Sequence, residues 1–470
     1  MKIRKGYFVM LAIVLSFSCV RVSDPVHKEK NKSVLEKVLK TGVLRVVTDF
    51  SSTSYFIYRG QPMGYQYEML QELANHLGVR LEVNVNNDIE KQFEMLQEGE
   101  VDLIAVNLTI TKDRREKVAF TVPHTQTRQV LIQRKPENWQ RLTIVELEDS
   151  LIRNQLDLAN KTIHIQKNSS YAKRLKSLSD EIGDSIAIIE MDKGDEQLIE
   201  MVSKGEIEYT VCDEIVAQVS ELYFDNLDSK TPVSFYQNLA WAVNKDAIDL
   251  KETIDTWLTE FKETRNYALI KHKYFNNKQS AEIVASDYYA SITGKISPYD
   301  ALIKEYSDEI QWDWRLIASL IYQESRFNPH AKSWAGAYGL MQLMPTTGQR
   351  FGANPGSSLT MQIRAGLMYI KWIDERLADV KNPEERIKFI LAAYNIGLGH
   401  VLDARALAAK NKKDPNVWDH NVADFLLLKS DPKYYSDPVV KYGYCRGVET
   451  YQYVADIIER YGHYKNLVLE

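Results

Sequence analysis

One glutamate carries the first sign of chemistry in this chain. In the stretch WRLIASLIYQES from Trp314, residues Ile317, Leu320, Ile321 and Glu324 fall at i, i+3, i+4 and i+7. That spacing puts them on one face of a helix. Three of the four are aliphatic, which marks the face as the buried one. The fourth is an ionisable acid in the last turn before Asn328-Pro329, where the helix is expected to stop. A carboxyl held against apolar side chains has its charged form disfavoured, so its pKa rises. An acid kept protonated near neutral pH can give its proton to a leaving group. The spacing leaves two other fates open: Glu324 turned out to solvent, or paired with Arg326.

The surrounding motifs weigh on that choice. Glu324-Ser325, then Gly339-Leu340-Met341-Gln342, then Ala393-Tyr394-Asn395 occur in that order. Together they resemble the lytic transglycosylase family with a goose-lysozyme-like fold, whose members cut the glycan strands of peptidoglycan. The resemblance covers roughly 297–470. It implies Glu324 as the catalytic acid with Ser325 beside it. It implies Met341 and Gln342 on the substrate groove, and Tyr394 and Asn395 facing the acid. Glu449-Thr450 with Tyr453-Val454 resembles the family's last motif and implies that Tyr453 points at Glu324. Gly366 and Tyr369 fit a further pattern, with Gln362 where Asn is commoner. Glycosidases usually need two carboxylates. The motifs offer no second acid, and the family implied here uses one for both steps.

A second constellation lies upstream. GYQYEMLQELANHLGV from Gly64 and DLIAVNLTITKDRREKVAFTVP from Asp102 resemble the periplasmic solute-binding protein family, in the branch for amino acids and small polar ligands. The resemblance covers about 35–275. It implies Arg114, three residues after Thr111, on a ligand's α-carboxylate, where a planar guanidinium makes two parallel hydrogen bonds. It implies Asn107 and Thr109 as pocket neighbours, Ser169 and Ser170 on the second lobe, and Asp213 for the ligand's amino group. Arg114 could instead belong to a solvated charge cluster with Asp113, Arg115 and Glu116. Ser169 and Ser170 could merely cap a helix near Tyr171.

The elements that must position these residues follow from periodicity. Strands are expected at 43–48, 81–85 and 101–106, alternating with helices at 33–40, 64–76 and 89–97. That order predicts an α/β unit with a mostly parallel sheet. The family's two lobes imply a first crossing at 133–135, a return at 235–243, and helix 251–263 packed back on the first lobe. Downstream the pattern is helical: 301–309, 314–327, 361–377, 383–394 and 450–461. Gly397 and Gly399 permit a tight turn after Tyr394-Asn395. The expected fold is therefore multidomain, an α/β two-lobed binding-protein unit followed by a mainly α lysozyme-like unit.

Bulk properties set the frame. A chain of 470 residues needs two or three domains, and a net charge of −5 gives no reason to expect nucleic acid. Lys2, Arg4 and Lys5 precede an apolar run, Tyr7 to Phe17. That run is shorter than the roughly 20 residues of a spanning helix, so it reads as a secretory signal. It ends at LSFSC, which resembles a lipobox and implies lipid attachment at Cys19. The expected organisation is a signal segment 1–19, a tether 20–32, a binding unit 33–275, a linker 276–296 and an enzyme unit 297–470. Cys212 and Cys445 fall in different units, so no disulfide is expected. No Cys/His cluster has metal spacing, so neither a metal nor a cofactor is expected. His330 and His400 flank the motifs as surface or structural histidines. The expected partners are peptidoglycan glycan strands, an amino acid or muropeptide ligand, and a membrane reached through the lipid anchor. The implied location is the periplasmic face of the outer membrane. A goose-type lysozyme on the same fold, or a sensor with an inert helical unit, are the alternatives.

Overall fold

A computed structural model describes residues 33–222, 224–275 and 294–467. The signal segment with Cys19, the tether and most of the expected linker lie outside the described residues. The first half of the chain forms two α/β lobes. In the first, Val43–Thr48 pairs in parallel with Arg80–Val85 and Leu103–Thr109. Gln237–Val243 adds antiparallel to Leu103–Thr109, so the sheet is mixed rather than mostly parallel. In the second, Thr162–Gln166 pairs in parallel with Ala187–Met191 and Tyr209–Asp213, while Gln129–Arg134 runs antiparallel.

The first crossing differs from expectation. The strand Thr125–Thr127 still belongs to the first sheet and Gln129–Arg134 to the second. The chain therefore crosses at Arg128, before the expected 133–135, because that apolar stretch is spent inside the second sheet. It returns between strands Leu227–Pro232 and Gln237–Val243. The helix Ile248–Phe261 packs on the first lobe, where Asp255 accepts from the Val122 backbone N–H at 2.7 Å.

The second half is helical. Trp314–Ser325 forms because Asp313 caps its N-terminus, accepting from the Arg315 N–H at 2.9 Å, and because Leu316, Ile317, Leu320 and Ile321 are fully buried. It ends earlier than Asn328-Pro329 suggests. Arg326 and Phe327 take left-handed backbone conformations, φ 49° and 61°, and break the helix before proline acts. The expected turn at Gly397 and Gly399 is a turn at Gly397 only. Gly399 lies inside a helix, Leu398–Lys410, where Tyr442 fills the space a Cβ would take.

The two halves share one hydrophobic core. Tyr55, Tyr65 and Leu70 of the first lobe belong to the same buried cluster as Leu320, Tyr453 and Tyr464. The last helix, Gly447–Leu467, reaches across. His463 sits between Tyr55 and Tyr67, with ring nitrogens 2.8 and 3.4 Å from their hydroxyls. Burial pushes that histidine down to about 4. Tyr464 donates to the Gly60 carbonyl and Asn466 to the Val83 carbonyl. Gly60 has φ 80°, and a Cβ there would lie under 3 Å from Tyr464, Tyr322 and Phe327.

Candidate functional site

Glu324 occupies the last turn of the helix Trp314–Ser325, partly exposed. Its carboxyl accepts a hydrogen bond from the Tyr453 hydroxyl. Burial pushes its pKa up to about 7, against the opposing pull of that hydrogen bond. It makes no pair with Arg326, which is exposed beyond the helix end. Tyr394, also drawn near the acid, donates its hydroxyl to the Met341 carbonyl at 2.7 Å. Tyr369 lies against Tyr394, ring centroids 5.2 Å apart. Tyr453 and Tyr394 both have hydroxyl pKa values raised by burial first and by the negative charge of Glu324 second.

Several residues expected on the groove turn inward instead. Ser325 is buried, and its hydroxyl faces the Leu340 carbonyl at 2.8 Å and the Ile321 carbonyl at 3.1 Å. It ties the acid's helix to the Gly339-Leu340-Met341-Gln342 loop. Met341 is 1% exposed, and its side chain packs on Gly366. Gln342 spends its amide N–H groups on the Ala331 and Gly339 carbonyls. Gln362 accepts from the Leu340 N–H and donates to the Ser357 carbonyl. These side chains brace the loop 339–342. Asn395 is exposed and accepts from the Thr450 hydroxyl at 2.6 Å.

The second site lies between the lobes. Thr111 caps the helix Lys112–Lys117 by accepting from the Arg114 N–H. That turns Arg114 inward, where one guanidinium nitrogen donates to the Thr109 carbonyl at 3.1 Å. The exposed charge cluster is thereby excluded: Asp113 pairs with Lys173 across the cleft instead. Burial lowers the Arg114 pKa, and Asp213 opposes that fall. Asp213 and Arg114 line one cavity with Thr109, Ser169 and Ser170. Ser170 stands at the start of the helix Tyr171–Ile182 but makes no cap bond; its hydroxyl accepts from Gln129. Asn107 lines the cavity yet is tied by both ends, to Gln66 and to Thr53, which makes it a wall brace. The lobes touch at Ser52 N–H to Glu196, 2.6 Å, and at Gln166 to the Asn87 carbonyl, 3.3 Å.

Sequence reasoning missed Asp195 and Tyr171. Tyr171 donates to Asp195 at 2.7 Å, inside the same cavity. Asp195 opens the helix Asp195–Lys204, where an acid looks like an ordinary partner for the helix dipole, so nothing local singled it out.

The family model for bacterial extracellular solute-binding proteins, family 3, matches residues 44–277, and the transglycosylase SLT domain matches 301–417. Among solved structures, a mutant of an arginine-binding protein from T. maritima aligns over 52% of this chain and 99% of its own, at 23% identity and a TM-score of 0.44. A Desulfosudis oleivorans protein named membrane-bound lytic murein transglycosylase F is 32% identical, over 98% of this chain and 97% of its own. Proteins of the same name from Photobacterium profundum and Shewanella woodyi are each 32% identical, over 98% and 96% of this chain and 86% and 90% of theirs. The chain belongs to the membrane-bound lytic murein transglycosylase F family.

Proposed function

We propose that this protein is a peptidoglycan lytic transglycosylase with Glu324 as its single acid–base group. Glu324 protonates the oxygen leaving C1 of N-acetylmuramic acid, and the sugar's acetamido group stabilises the cation. The same carboxylate then takes the proton from the C6 hydroxyl, which attacks C1. The product carries a 1,6-anhydro ring, and no water is consumed. What supports this reading is a carboxyl lifted to about 7, so that it holds a proton near neutral pH. None of the groups that shift its pKa is a second carboxylate. Tyr453 orients it, while Tyr394, Asn395 and the braced loop 339–342 form the adjoining groove. Mass spectrometry of digested peptidoglycan tests this. Wild type should release muropeptides lighter by one water than a lysozyme digest, and Glu324→Gln should release none. Hydrated products would make the protein a lysozyme-type hydrolase, and full activity of the variant would leave only a wall-binding sensor.

The unit 33–275 binds an amino acid or muropeptide between its lobes. Arg114 takes the α-carboxylate and Asp213 the amino group, with Thr109, Ser169 and Ser170 around them. The ligand regulates the enzyme unit, 297–470, through a linker at 276–296 and the shared core. The family places the protein in the cell envelope. The leader 1–19, lipidated at Cys19, and the tether 20–32 anchor it to the periplasmic face of the outer membrane.

A further inference from the structure

The cavity between the lobes carries more acid than a simple zwitterion needs. An α-amino acid with a neutral side chain brings one carboxylate and one ammonium, which Arg114 and Asp213 match. The same wall also holds Asp49 and Asp195, and Arg114 is its only basic side chain among the described residues. Asp49 comes from the first lobe, just after strand Val43–Thr48, and Asp195 from the second. The Tyr171 hydroxyl fixes one oxygen of Asp195, and the other, Oδ1, has no hydrogen-bond partner. Asp213 is 4% exposed, and its Oδ1 is also unpartnered. Unpaired buried acids are costly unless a cation arrives. Burial pushes Asp195 up to about 7, with Asp49 and Glu196 adding repulsion. Asp213 is pushed well up, by burial and then by Asp195. Among the described residues, no three such groups are placed to hold a metal ion. The acids call for separate positive charges on one organic molecule. A space of about 120 Å³ is below the roughly 300–1,000 Å³ of drug-sized pockets and suits a free amino acid.

We propose that the cleft selects an amino acid with a second cationic group on its side chain, which donates to Oδ1 of Asp195 while Asp49 adds its field from the opposite lobe. This rests on the reading that Arg114 and Asp213 hold the α-carboxylate and α-ammonium. Calorimetry of the full chain with L-lysine, L-ornithine and the neutral analogue L-norleucine tests it. L-lysine or L-ornithine should bind at least roughly tenfold more tightly than L-norleucine, the size of one charge-assisted hydrogen bond. Asp195→Asn should abolish that preference while norleucine still binds. Equal binding of all three to wild type overturns the second cation site and leaves the zwitterion reading standing. Binding of none of them overturns the zwitterion reading itself. A preference that survives in Asp195→Asn overturns the role of Asp195. The wild-type series decides the ligand class even if that variant fails to fold.

Discussion

Replacing Glu324 by Gln should make the protein more stable and inactive at once. The carboxyl's pKa lies at about 7 in the folded chain against an ordinary glutamate value of 4.5. The folded state therefore binds this proton more tightly than the unfolded state does. Between those two values the folded chain holds more protons, so stability falls as pH rises through that window. Above it, keeping the charge costs about 3 kcal/mol at 1.36 kcal/mol per tenfold change in proton affinity. Water reaching the partly exposed carboxyl softens that to about 2 kcal/mol. Gln keeps a carbonyl for the Tyr453 hydroxyl and carries no charge. Urea unfolding of the full chain, followed by tryptophan fluorescence, should show variant and wild type alike near pH 4. Near pH 8 the variant should lead by about 2 kcal/mol, and glycan cleavage should fall by at least ~10²-fold. An advantage independent of pH, or a variant less stable than wild type near pH 8, would refute the claim that burial holds this acid neutral.

Tyr453→Phe removes the one hydrogen bond that restrains the acid's pKa. The alkaline limb of the pH–rate profile should move to higher pH, and turnover should drop roughly tenfold or more. Asp403→Asn takes the opposite charge from Lys429, whose fully buried ammonium lies 2.7 Å from that carboxylate and 3.1 Å from His400 Nδ1. A loss of about 3–5 kcal/mol should appear in thermal melts of the helical unit. Gly60→Ala forces a Cβ into Tyr464, Tyr322 and Phe327 from a left-handed backbone. It should cost about 1–3 kcal/mol and speed proteolytic separation of the two halves.

The sequence exposed whatever had a local period or a fixed motif. Glu324 was legible because a polar residue interrupted an aliphatic face inside a run of motifs resembling the transglycosylases, and Arg114 because Thr111 and Arg114 match a motif of the binding-protein family. Orientation was less legible. Ser325 and Met341 stand in the right motifs but point into the protein, since neighbours along a chain need not share a surface. Asp195 was invisible because its importance comes from Tyr171 and Asp213, which other elements deliver. The contact of Tyr55 with His463 spans 408 positions and has no sequence period. The early crossing at Arg128 escaped because one apolar strand could belong to either sheet.

The chain's tail is stitched to its head, and this sets an order of events at birth. Synthesis delivers the two lobes first, and domains generally fold as they emerge. The hollow that Tyr55 and Tyr67 share with His463 stays unfilled until the helix Gly447–Leu467 has been made. A nascent or shortened molecule therefore presents a greasy face that the finished one conceals. A premature stop just ahead of His463 should injure the sensor along with the cutter, and the sensor expressed by itself would be a sticky fragment.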